Sequence, residues 1–170
     1  MTSPPEPTEY QPYYARYISL VPAADLAQTL DAQLAESLPM LRAIGEQKSL
    51  HRYAAGKWSI KEVLGHLIDA ERIFTYRALR FARNDQTPLP GFDQDPYVSA
   101  ANFDARRWDD LVAEFEHVRR SSILFFGALT PEEMVRCGTA SQNAITVRAL
   151  GYIVAGHELH HMAILRDRYL

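Results

Sequence analysis

Four stretches of the chain bring apolar residues round at steps of three and four, and each predicts an amphipathic helix. The first runs from about Asp25 to Gly45, with Leu26, Leu30, Leu34, Leu38 and Leu41 on one face, and Pro39 is placed to kink its last turns. The second, from about Ile60 to Ala82, opens on Ser59 with Glu62 three residues on. That is a reciprocal capping box, and Trp58 just before it can close on Val63 as a hydrophobic staple. The third, from about Asp104 to Ala128, carries Trp108, Leu111, Phe115, Val118 and Ser122 on one stripe. Thr130, Pro131 and Glu133 then predict a short capped turn, and Thr146 can cap a last helix running close to Leu170.

The segments between these helices are of three kinds. Residues 1–22 are rich in Pro and Tyr without helical period, which predicts an extended N-terminal arm that packs Tyr14 and Tyr17 onto the body. Residues 84–103 hold three prolines and a glycine, and a loop of that length in a compact domain is often functional, so it is a candidate lid. The Gly, Ser and Asn stretch from Gly138 to Asn143 precedes the last helix. No segment alternates apolar and polar residues long enough to predict a sheet, and no internal repeat is visible. The expected fold is all-α: a four-helix bundle over 23–170 preceded by the arm. A chain of 170 residues is long enough to bury about 70% of its unfolded surface in one core.

Charge and cysteine content narrow the function classes. Lys and Arg total 18 against 21 Asp and Glu, with no basic run, so no footprint for nucleic acid is present. The single cysteine, Cys137, cannot form an internal disulfide, which favours a reducing compartment such as the cytoplasm; a small packing role suits it better than a reactive one. The N-terminus lacks a basic start followed by an apolar run, and no segment is apolar over ~18 residues, so neither secretion nor membrane spanning is expected.

Candidate chemistry lies in the histidines. Three of the six crowd into Gly156-His157-Glu158-Leu159-His160-His161. At about 100° per residue, Leu150, Ile153, His157, His161 and Ile164 fall within an arc of about 80°, so two imidazoles interrupt an apolar stripe. Imidazoles at i and i+4 can bring their nitrogens to one metal at about 2.0 to 2.1 Å; each alone would read as a core histidine bonded to a carbonyl. His66 sits where the apolar side of the second helix (Val63, Leu67, Ala70, Phe74) meets its polar side, a pocket-edge position. A third ligand there would leave one coordination position open, the arrangement of catalytic rather than structural zinc.

The stretch Lys57-Trp58-Ser59-Ile60-Lys61-Glu62-Val63-Leu64-Gly65-His66-Leu67-Ile68-Asp69-Ala70-Glu71, followed about ninety residues later by Gly156-His157-Glu158-Leu159-His160-His161, resembles the DinB-like superfamily of metalloenzymes. The resemblance implies a four-helix bundle with one crossover connection and one divalent ion held by His66, His157 and His161. Zinc or nickel is expected, with iron also suited to three imidazoles. Relatives include bacillithiol- or mycothiol-dependent S-transferases and a maleylpyruvate isomerase; the isomerase branch has Glu and His where this chain has His157 and His161. The resemblance also implies a homodimer.

Three functions compete. In the first, a low-molecular-weight thiol becomes a thiolate at the metal and attacks a small electrophilic substrate, with Asp69 and Glu158 as candidate catalytic residues that orient imidazoles or take a proton. The second takes His157-Glu158-Leu159-His160-His161 as the HExxH of zinc peptidases. Only nine residues follow His161, none of them His, which disfavours a peptidase and leaves a small-molecule metallohydrolase using a water on the metal. The third is a non-catalytic stress or binding module. His160 is a rim residue, or a replacement for His161 at i and i+3. Arg77, Arg80 and Arg83 read as a solvated helix face that could instead meet an anion. His51 and His117 read as surface residues.

Overall fold

The computed structural model describes residues 3–170. Its long helices are α2 (Leu26–Ser49), α3 (Ile60–Ala82), α5 (Trp108–Gly127) and α7 (Val147–Ile164), with shorter α1 (Ala15–Ile18), α4 (Gln94–Ala101) and α6 (Pro131–Met134). α2 packs against α5 and α7, and α3 packs against the same two. Consecutive α2 and α3 therefore lie across the diagonal of the bundle, joined by the crossover.

Helix starts follow the sequence chemistry. The Asp25 side chain accepts from Gln28 N to start α2, Ser59 and Glu62 form the reciprocal box of α3, Thr130 and Glu133 repeat it on α6, and Thr146 accepts from Ala149 N at α7. Inside α2 the backbone stays helical at Pro39 and breaks at Gly45, where φ is 71°. Past Ile164 the chain continues as one wide turn, Leu165–Tyr169, that buries Leu165 and Tyr169.

Four expectations need correcting. The arm is not extended: it folds into 3-10 turns at Pro7–Glu9 and Pro12–Tyr14 and then α1, because proline at the first positions of a turn supplies the φ it needs. The 84–103 segment is not all loop, since Asp93 caps α4 by accepting from Asp95 N. A sheet does exist: β1 (Cys137–Ala140) and β2 (Asn143–Thr146) form an antiparallel hairpin, whose four-residue strands are too short to show alternation. Cys137 on β1 is exposed and not a packing residue.

The core is interrupted at mid-height. Leu30, Phe74, Phe126 and Ile153 belong to one apolar cluster, and Leu34, Leu64, Phe115 and Met162 to another. Between them the four long helices contribute buried polar side chains: Gln33 and Ser37 from α2, His66 and Glu71 from α3, Arg119 from α5, His157 and Glu158 from α7. A polar layer through a bundle has a desolvation cost, so it marks where function is to be sought.

Candidate metal centre

α3 and α7 run against each other and bring the three expected histidines together. His66 Nε2 lies 3.0 Å from His157 Nε2, and His161 Nε2, one turn along α7, lies 3.1 Å from the same atom. One nitrogen from each falls within 4.8 Å of the others. His66 and His157 are buried and His161 half-buried.

Burial holds the rings neutral. It lowers the pKa of His66 to about 4, and burial with the neighbouring His66 and His160 lowers that of His161 to about 3. His157 is pushed well below its ordinary value, by burial first and then by the other imidazoles. A neutral imidazole carries one N–H and one lone pair. His157 Nε2 has a ring nitrogen on either side, and one proton cannot serve both contacts. A single divalent ion accepts all three lone pairs, and neutral imidazole suits zinc, nickel and iron. The donor set thus fits a metal better than it fits three packing residues.

Aromatic rings enclose the donors. Tyr17 of α1 stands edge-on to His157 at 5.2 Å, Trp58 lies 5.0 Å from His66, and Phe74 approaches His157 at 6.2 Å. Gly65, the residue before His66, leaves room for the Phe103 ring, which a Cβ there would strike. These walls reduce solvent contact, and lower local polarity strengthens electrostatic interaction at the nitrogens.

Beside the triad, Arg119 ties the four long helices together. Its Nε and Nη2 donate to Glu71 at 2.9 and 2.8 Å, Nη1 donates to Glu158 and reaches Gln33 Oε1 at 3.3 Å. Ser37 Oγ donates to Glu158 at 2.5 Å, and Gln33 Nε2 donates to the Ala155 carbonyl at 3.2 Å. Burial opposes the guanidinium charge, but Glu71 and Glu158 outweigh it and hold Arg119 protonated. One cation faces two carboxylates, so the network favours a further positive charge nearby.

The other expected site residues are placed differently. Glu158 spends both carboxylate oxygens on Ser37 and Arg119, so it anchors α7 and hydrogen-bonds to no imidazole. Asp69 is half-buried; desolvation raises its pKa, Arg72 opposes the rise and Glu114 adds to it, and no imidazole of the triad is among the groups that shift it. His160 packs at 5.4 Å from Tyr17. Arg77 is buried rather than solvated, donating to the Pro90 carbonyl at 2.7 Å, while Arg80 pairs with Asp85 and Arg83 with Glu133. His51 and His117 are exposed.

Two clefts open on the imidazoles. One, of about 340 Å³, is lined by Tyr13, Tyr14, Phe74 and Phe92 with His66 and His157; the other, of about 320 Å³, by Lys57, Trp58, Ile164 and Tyr169 with His161. Gln94 and Asp95, from the segment expected as a lid, border both. Arg119 was not singled out from sequence, although it falls on the stripe of Phe115 and Ser122, where a charged residue is itself a signal.

Comparison with known proteins agrees with this architecture. No curated protein matches the chain. YfiT from Bacillus subtilis, described as a probable metal-dependent hydrolase with an unusual four-helix bundle topology, superposes with a TM-score of 0.71 at 16% identity, covering 96% of this chain and 89% of YfiT. At that identity the likeness is one of fold. The model of the DinB superfamily matches residues 7–165, a span that takes in most of the arm, the crossover and all three histidines: the chain belongs to the DinB superfamily.

Proposed function

We propose that His66, His157 and His161 hold one divalent ion, zinc or nickel, and that the protein is a metal-dependent enzyme transferring a low-molecular-weight thiol to a small electrophile. The observation that carries this reading is the convergence of three neutral Nε2 atoms, with one cleft reaching His66 and His157 and a second reaching His161. A bound divalent ion supplies Lewis acidity that favours the thiolate over the thiol at neutral pH.

The chain's own residues do the rest. The imidazoles stay neutral because they are buried, so each presents a lone pair. Arg119 fixes α7 against α2 and α3 through Glu158, Gln33 and Glu71, which sets the separation of His66 from His157. Tyr17, Phe74 and Trp58 pack against the donors and wall the clefts that reach them. Among the described residues no cysteine thiol borders either cleft: Cys137 is exposed on β1. An external thiol answers that lack.

A second reading, hydrolysis of a small molecule, is favoured by the description of YfiT and needs no thiol. Turnover of a chromogenic electrophile by metal-loaded protein separates the two. Transfer that requires both metal and added thiol supports the first; metal-dependent ester or amide cleavage without thiol replaces it with the second.

A further inference from the structure

The two clefts beside the triad differ in chemistry. In the first, rings from the arm, α3 and the segment before α4 meet edge to face: Tyr13 with Tyr14 at 5.4 Å, Tyr14 with Phe74 at 6.3 Å and Phe74 with Phe92 at 6.5 Å. Arg16 lies 4.1 Å over Tyr13 and Arg77 5.8 Å from Phe92. Those faces already hold cations, so the cleft is not a cage for another one. Its walls suit a flat ring that stacks, and about 340 Å³ is the lower end of the size range of small-molecule sites.

The second cleft carries a cation without a partner. Arg52 is paired with Glu62 and Asp104, and Lys61 with Glu46, but the exposed Lys57 makes no ion pair among the described residues. It directly precedes Trp58, whose ring lies against His66. Gln94 and Asp95, in the first turn of α4, border both clefts. They partition the approach, with His66 and His157 on one side and His161 on the other.

Resting on the transferase reading, we propose that the clefts are separate ways into one centre: the aromatic cleft holds a flat, electron-poor electrophile, and the Lys57 cleft admits a thiol bearing a carboxylate. In a substitution on such a ring the thiol releases its proton to solvent and the sulfur electron pair forms the new S–C bond. The leaving group departs with the pair of the bond it breaks, and no oxidant or reductant takes part.

The test uses unreactive analogues, so that it does not depend on turnover. Calorimetry on the protein as purified measures 2,4-dinitroaniline for the aromatic cleft, and N-acetyl-S-methylcysteine against its methyl ester for the Lys57 cleft. Phe92→Ala is expected to weaken dinitroaniline about tenfold and leave the acid unchanged. The parent should prefer the acid to the ester by about tenfold, and Lys57→Met should erase that preference without touching dinitroaniline. Each variant serves as the folding control for the other. The proposal is overturned if acid and ester bind alike, or if either substitution weakens both ligands equally. The expected binding pattern without any thiol-dependent turnover would retain the cleft assignment and remove the transferase reading alone.

Discussion

The backbone carbonyl of Tyr17 occupies the space where a Cβ on Gly156 would stand. Glycine is required there because α1 presses its main chain onto α7, and the contact seats the Tyr17 ring against His157, the next residue in the chain. Gly156→Ala is expected to lift the arm and cost about 1 to 3 kcal/mol of stability. Trypsin cleavage after Arg16 measures the effect directly, and the variant should be cut faster than the parent under native conditions.

Arg119 gives a sharper stability prediction. Replacing it with Met strands Glu71 and Glu158 in the core, and breaking a buried pair on one side costs about 3 to 5 kcal/mol. Urea denaturation should show that loss for Arg119→Met. A triple variant that also neutralises both carboxylates, Glu71→Gln and Glu158→Gln, should recover part of it, because no charge is then left without a partner.

The acid stability of the metal-free protein follows from the imidazoles. His66 titrates near 6.5 when unfolded and at about 4 when folded, so the unfolded chain takes up the proton first as the pH falls. Its contribution is complete above about pH 6.5 and is lost as the pH falls from there through about 4; His161 extends the loss toward about 3. Thermal melts across that window should therefore show a falling Tm. Added zinc or nickel should raise the melting temperature most at neutral pH and progressively less as protons compete for the nitrogens.

The parts of the fold legible in the sequence are those that rest on local chemistry. The start of α3 is written in Ser59 and Glu62, that of α7 in Thr146, and the spacing of His157 and His161 puts both on one face before any partner is known. The approach of His66 to that face could not be read from spacing, because α3 and α7 meet through tertiary packing; family resemblance supplied it. The hairpin was hidden by its turn: Ser141 and Gln142 both adopt positive φ, a conformation usually signalled by Asn or Gly. Glu158 follows His157 in sequence, but on a helix adjacent residues point about 100° apart, and its side chain meets Ser37 and Arg119. The N-cap of α4 is local, in Asp93, but the two clefts that α4 borders depend on contacts between distant segments and left no local trace.

Binding of one metal by the three imidazoles is open to direct measurement. Metal content should be measured on protein purified without an affinity tag, comparing the parent with His66→Ala, His157→Ala and His161→Ala, each shown to be folded by circular dichroism. The account predicts about one divalent ion per chain in the parent and its loss in every variant, since a site of three nitrogens does not hold a labile ion with two. A parent that takes up no metal even after reconstitution, with all variants folded, would contradict it and leave the triad as part of the packing.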